Sequence, residues 1–465
     1  MLLYSQSHHN SRLQKLLSIY LKFKGITAKG FDTLHAVGLV MSHKWTCDSV
    51  RRISETCMAE VQELMQTKPW LWSYDNLSIA MRMFVQRVDK ESTYRDGAGS
   101  AATVYVKCLA KPLSETANSD LKAKRAEGLK NPLTGLNIVD LVVASSEHLE
   151  KQAEYEVLRV LLESPEFDFK TYKDRKSDLL EPPAPLNPLA TGHDHITLQY
   201  LLGSVNKTEA SIEDNAQLVL EWMEQVGLGS DEEKRKTGME RVITWVGDQL
   251  TVNRLRTLYQ YRAEDSNSFD RLDYSVFVFG WFHCQMAFAN SLHKQYLGTT
   301  QGRGLKHAFT LLNRKGLDRV LTQGPFHRDL DDVLHQIAAA HFREDWLAIG
   351  NVKDLAELRQ KRPEDLAQFA RKILEQHASN AALDRHDRRP EEQQDQAYRQ
   401  LILWNRDVLQ YIILNHAIKE GDIGLIELML PHLYVRFVGG GNGHYAVEIL
   451  ELLQGLHREW PEEIW

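Results

Sequence analysis

Two aspartates in this chain stand where an apolar run stops. Val242-Ile243-Thr244-Trp245-Val246 leads into Gly247-Asp248-Gln249-Leu250-Thr251, and Pro69-Trp70-Leu71-Trp72-Ser73-Tyr74 leads into Asp75-Asn76. A carboxylate held at the end of a buried strand is a hard oxygen donor on rigid backbone, which is what Mg²⁺ takes in phosphoryl-transfer sites. A single aspartate in that place more often starts a turn or caps the next element. Two of them point to a paired site. Further acids, Glu448 and Glu451, sit on an apolar-periodic stretch near the C-terminal end. His283 follows a third apolar run and could orient a phosphate or a water, although a hydrogen-bonded core histidine is the more ordinary role. His193 and His195 alternate in Gly192-His193-Asp194-His195 without a companion ligand and read as surface histidines. Gly97-Ala98-Gly99 and Gly439-Gly440-Gly441-Asn442-Gly443 lack the Lys and Ser/Thr of a phosphate loop and read as turns. Arg254, Arg256 and Arg262, with Arg303, Lys306 and Arg314 later, could meet phosphates or simply be solvated.

The elements that must hold these residues follow from periodicity. Residues 10–66 are helical, with Leu13, Leu16, Leu17, Tyr20 and Leu21 on one face and Val50, Ile53, Met58, Val61 and Leu64 on another. Within them Leu34 to Leu39, Ser42 and a helix from Thr46 resemble a helix-turn-helix, with Gly38 near the turn, although ordinary helical packing accounts for the pattern as well. Strands are predicted at Trp70–Ile79, Met83–Val88, Ala101–Leu109, Val242–Asp248 and Tyr274–Gly280, with a turn at Asp96–Ser100. Residues 113–238 are mostly helical and are broken by the extended Pro182–Pro188 connector. From His283 to about Tyr434 the pattern is helical, with a charged stretch from Asp384 to Gln396.

The resulting fold class is α/β, predominantly helical, with a mixed five-stranded sheet interrupted by large helical insertions. Three strands, a helical stretch, a strand, a helix, a strand and a late helix is the order of the RNase H-like fold. That fold keeps one acid on its first strand, one at the end of its fourth and one on the late helix, and Asp75, Asp248 and Glu448 (or Glu451) occupy those places. The expected divisions are 1–68 helical, 69–112 first strands, 113–238 helical insertion, 239–298 fourth and fifth strands, 299–435 second helical insertion and 436–465 closing helix. Three carboxylates within ligand reach would hold Mg²⁺, and without a cation or a proton such acids repel.

Composition bounds the rest. At 465 residues and 43% hydrophobic the chain can bury large cores, and a formal charge of −7 gives no global basic field, so contact with nucleic acid must be local. Cys47, Cys57, Cys108 and Cys284 are scattered without a C-x-x-C pair, which argues against a disulfide framework and a cysteine-based zinc site. No signal-like start and no run of 18 apolar residues appears, so the nucleus or cytoplasm is expected and no membrane partner.

Leu39-Val40-Met41-Ser42, Trp72 to Ile79, Gly247 to Thr251, Gly280-Trp281-Phe282-His283-Cys284-Gln285-Met286 and His444-Tyr445-Ala446-Val447-Glu448 resemble successive blocks of domain-of-unknown-function family 6589. The resemblance runs over nearly the whole chain and implies a fungal protein, of a kind found in mushroom-forming basidiomycetes and associated with transposable elements. Relatives often carry an acid where this chain has Trp281, and they continue beyond the Trp460–Trp465 ending, so a decayed or shortened element is one expectation. Two functions follow. In the first, Asp75, Asp248 and Glu448 bind Mg²⁺ and are catalytic with His283, directing water or a 3′ hydroxyl onto a DNA phosphodiester. In the second, the chain is a non-catalytic scaffold that binds DNA or protein. Tyr74-Asp75-Asn76 and Gly247-Asp248 favour the first reading, whereas Trp281 and the net acidity favour the second.

Overall fold

A computed structural model describes residues 11–80, 94–299, 302–314, 316–317 and 327–464 of the chain. The helical start divides into α1 (Arg12–Phe23), α2 (Ala28–Ala36) and α3 (His43–Thr67). Thr27 and Ser42 begin the second and third helices by accepting the orphan N–H groups of Gly30 and Trp45. Then come β1 (Trp70–Ala80), β2 (Tyr94–Val106), α4 (Ala117–Gly128), α5 (Gly135–Leu162), β3 (Leu198–Leu201), α6 (Ile212–Gln225), α7 (Asp231–Glu240), β4 (Ile243–Gly247), α8 (Gln249–Tyr261) and β5 (Ser275–Phe279). The remainder is helical: α9 (Trp281–Tyr296), α10 (Leu305–Leu311), α11 (His327–Gly350), α12 (Pro363–His377), α13 (Asn380–Asp387), α14 (Gln396–Glu420), α15 (Ile423–Gly439) and α16 (Gly443–Gln454). Among the described residues no helix is long and apolar enough to cross a membrane.

The strands form one five-stranded mixed sheet in the order β3-β2-β1-β4-β5. β1 and β2 are antiparallel, with Asp75 opposite Ala101 and Asn76 opposite Ser100, and β3 continues antiparallel on β2. Next to β5, Ile243 N–H donates to Tyr274 C=O and Gly280 N–H donates to Gly247 C=O, so β4 and β5 advance together as parallel neighbours joined through α8. Trp72 and Trp245 lie fully buried on adjacent strands and stack with ring centroids 4.6 Å apart, which pins the register of β1 against β4.

Three details differ from the sequence reading. The Met83–Val88 strand lies outside the described residues. Asp96–Ser100 is not a turn but the first half of β2, a strand that ends at Val106 and not at Leu109. Glycine is tolerated there for a steric reason, since a Cβ on Gly99 would lie 2.4 Å from the carbonyl oxygen of Val205. β3, inside the stretch read as mostly helical, was not foreseen. Its Leu-Gln-Tyr-Leu is only half-buried, so the packing that favours a strand is weak in the sequence.

The chain groups into two compact units, Met1–Asn118 with Gly192–Trp245 and Arg254–Val276, and Ser119–Thr191 with Val246–Asn253 and Phe277–Trp465. The second unit is a helical bundle whose core gathers Trp346, Phe342, Phe288, Tyr411 and their neighbours. Trp346 Nε1 donates to Val157 C=O at 3.0 Å, so the polar atom of this buried ring is satisfied. The Pro182–Pro188 connector is extended as expected, and the Asp422 carboxylate accepts from the N–H groups of Leu186 and Asn187.

Between α11, α12 and α14 the bundle buries a polar cluster. Asp345 faces His377 Nδ1 at 3.4 Å and Asn405 Nδ2 at 3.4 Å, while His341 Nδ1 lies 3.3 Å from Asn405 Oδ1. Burial, with the Glu344 charge second, pushes the Asp345 carboxyl up to about 7, and burial pulls His377 down. Both directions disfavour the ionised pair, and below about pH 7 they favour a protonated acid beside a neutral imidazole. The folded protein then holds a proton that the unfolded chain releases above about pH 4. Stability from the Asp345 carboxyl is full below that pH and is lost as pH rises to about 7, by roughly 2–4 kcal/mol, whereas the lowered His377 acts in the opposite sense and weakens the fold as pH falls. Asp345→Asn is expected to flatten that loss in urea melts taken from pH 5 to 8. An unchanged slope would show that the carboxyl is ionised throughout.

Candidate metal centre

The sheet's two central strands deliver the first ligand candidates. Along β1, Trp72 and Tyr74 are buried and Asp75 and Asn76 reach the surface. Tyr74 packs edge-on to Trp245 at 6.2 Å, and its hydroxyl donates to Asn215 Oδ1 at 2.7 Å. Asn215 Nδ2 in turn donates to the Glu209 carbonyl at 2.9 Å. From the other side of Asp75, Asn76 Nδ2 donates to Glu209 Oε1 at 2.9 Å and Asn76 Oδ1 accepts from Glu209 N–H at 3.0 Å. The two neighbours of Asp75 therefore both tie down the segment carrying Glu209, which gives the Tyr-Asp-Asn wording a physical purpose.

Asp248 follows β4 directly. Its Oδ1 accepts from Thr251 N–H at 2.6 Å, capping α8, so the ordinary role of an aspartate at this place is present too. Gly247, the last residue of β4, leaves room for the Thr251 side chain, since a Cβ there would lie 2.6 Å from Thr251 Cγ2. Asp75, Glu209 and Asp248 each present a carboxylate oxygen, and these atoms all lie within 4.8 Å of one another. Glu209 is 2% exposed, so its charge stands among little water. Three oxygen donors at that spacing from three separate parts of the chain suit a hard divalent cation, whose ligand distances run from about 2.0 to 2.6 Å. Cysteine and histidine are absent from the group, so the donor set does not match the softer N/S preferences of zinc or copper.

The structure therefore sets Asp75 beside Asp248, as the strand order requires, and adds Glu209, which the sequence reading missed. Lys207-Thr208-Glu209-Ala210 carries no periodicity and sits in a turn before the Ser211 cap of α6, so nothing local marks the acid. Glu448 is buried on α16 and is not part of the group. Its near environment includes Tyr445, whose hydroxyl is driven above its usual range by burial and then by Cys284, Asp248 and Glu448. Glu451 is on the same helix and is exposed. His283 is in the first turn of α9, not at the strand end, and stacks edge-on with Phe282 at 5.4 Å. Trp281 packs edge-on against Phe279. His193 and His195 form an exposed single turn.

Asp75 lies in the middle of β1 and not at a strand end as the sequence suggested, so a mostly helical α/β protein built on a five-stranded mixed sheet, with one acid on β1, one just after β4 and one in the turn before α6, is the class that the structure defines. The chain belongs to the family of unknown function DUF6589, whose model matches residues 128–464. No curated protein and no solved structure matches it.

Proposed function

We propose that this chain is a transposable-element-derived protein with an RNase H-like sheet that carries out Mg²⁺-dependent phosphoryl transfer on DNA. The observation that carries the reading is the meeting of Asp75, Glu209 and Asp248 within 4.8 Å, on a sheet ordered β3-β2-β1-β4-β5. Asp75 and Asp248 hold the cation, with Glu209 in the place first given to Glu448. When bound, the cation supplies charge stabilisation at the scissile phosphate and lowers the pKa of an attacking water. The chain's own part is to hold three oxygens in position: Asn76 and Asn215 fix the Glu209 segment, and the α8 cap fixes Asp248.

A second reading keeps the fold as a scaffold that binds DNA or protein without chemistry. The hydrogen bonds of Asp248 to α8 and of Glu209 to Asn76 favour it, since both acids have structural work independent of any cation. Supercoiled plasmid incubated with purified protein and Mg²⁺ or Mn²⁺ separates the two. The catalytic reading expects nicking that Glu209→Gln and Asp248→Asn each lower by at least about 100-fold, the scale on which loss of one preorganised electrostatic group slows other enzymes. Wild-type protein that leaves the plasmid intact, or nicking that persists in both variants, defeats it.

A further inference from the structure

The charge of this chain is unevenly placed. Residues 11–52 hold eight lysines and arginines against two aspartates, while the rest of the chain holds 48 against 61 acidic residues. An acidic protein thus begins with a basic segment, and α1, α2 and the first turns of α3 display it. Arg12, Lys24, Lys29, Lys44, Arg51 and Arg52 are all exposed. The two acids do little to cancel them: Asp48 lies 3.9 Å from Arg51, and Asp32 is exposed on α2.

These three helices are firmly assembled. Phe31 and Val40 are buried at the α2–α3 junction. Ser18 Oγ accepts from Met41 N–H at 2.7 Å, and the His35 ring nitrogen Nδ1 lies 3.0 Å from Val40 C=O. Gly38, at φ +72°, makes the turn between the two helices. The later part of α3 is fastened elsewhere in its unit, through Tyr200 to Glu60 and Gln62 to the Gln225 carbonyl. Its residues from Arg51 to Cys57 are, in contrast, all exposed. Two short helices therefore brace the start of a long one, whose basic residues at positions 44, 51 and 52 share a side by helical spacing.

We infer that α1, α2 and the N-terminal half of α3 form the surface on which duplex DNA docks, through phosphate contacts made by Lys24, Lys29, Lys44 and Arg52. The inference rests on the DNA reading above and names the element that holds the substrate. Charge complementarity favours it, because a polyanion is attracted to this segment and repelled by the rest of the chain. The exposed Leu13, Leu16, Tyr20 and Phe23 on α1 would also suit an anionic membrane surface. Against that, the basic residues are spread over three helices, as a phosphate backbone requires, and do not merely flank the α1 stripe.

The test uses the full chain and a fluorescein-labelled duplex in EDTA, with anisotropy read across a salt series. Wild type is expected to bind with a slope of log K against log salt steeper than about −3, since each neutralised phosphate contributes about −0.9. Lys24→Glu, Lys29→Glu, Lys44→Glu and Arg52→Glu combined should weaken binding at least tenfold and flatten the slope, with an unchanged circular dichroism spectrum. A wild-type slope near zero overturns the inference whatever the variant does. So does equal binding by the variant, or binding to phosphatidylserine vesicles in place of duplex. Because EDTA removes the cation, docking without nicking defeats only the catalytic reading, and nicking with unaltered binding by the variant defeats only this one.

Discussion

Asp248→Asn is expected to abolish the thermal stabilisation that Mn²⁺ gives the wild-type chain, while leaving the cation-free protein at least as stable as wild type. A cation that binds only the folded site stabilises it by RT ln(1 + [L]/Kd), about 2.7 kcal/mol at a hundred times Kd. Asn keeps the shape and still caps α8, because an amide oxygen serves at the cap nearly as well as a carboxylate. What it removes is one of three carboxylates gathered within 4.8 Å, so repulsion in the cation-free protein falls as the affinity for cation is lost. Glu209→Gln should behave in the same way, and Glu448→Gln should keep the full response to Mn²⁺, since Glu448 stands outside the group. Differential scanning fluorimetry in EDTA and in Mn²⁺ measures all four proteins. Equal stabilisation of wild type and both site variants would show that the cation binds elsewhere, and loss of the response in Glu448→Gln would return the third ligand to α16.

Which of these residues could be read in advance depended on how local their causes are. β4 and β5 were legible because Val242–Val246 and Tyr274–Phe279 are apolar runs with few alternatives to a buried strand, and their ends fixed Asp248. β1 was legible for the same reason and brought Asp75. Glu209 was not, because its place is set by Asn76 and Asn215, partners 133 residues before it and 6 after it, and by no pattern of its own. The Asp96–Ser100 segment misled because glycine ordinarily marks a turn, whereas here its missing side chain admits the Val205 carbonyl. Helices were legible as a class, but their mutual packing was not. The pairing of α5 with α12 and α15 is a matter of side-chain complementarity across hundreds of residues, which periodicity does not encode. The neutral Asp345–His377 contact is illegible for the same reason.

Asp407→Ala is expected to cost the helical unit about 3–5 kcal/mol, the usual penalty for leaving one partner of a buried ion pair uncompensated. Asp407 is 1% exposed on α14 and is held on every side. Arg406 reaches its Oδ1 at 2.8 Å, while Arg436 and the Tyr296 hydroxyl both bond Oδ2. Arg436 also donates to Gln295 Oε1 at 3.0 Å and lies over the Phe288 ring at 5.5 Å, so only the edge of its guanidinium nearest Gln295 approaches water once its carboxylate is gone. The Tyr296 hydroxyl shares the environment, raised above its usual range by burial first and by Asp407 next. A loss of this size lowers the melting temperature by on the order of 10 °C in a unit of this length. Asp407→Leu combined with Arg436→Met should recover most of it, because two apolar groups of similar volume need no partner, whereas either single change strands a charge. Thermal melts of wild type, Asp407→Ala and the double variant decide the matter. A single-variant cost below about 1 kcal/mol would mean that water reaches Arg436. A double variant less stable than Asp407→Ala would mean that the pair is held for the geometry of its hydrogen bonds and not merely to neutralise the guanidinium.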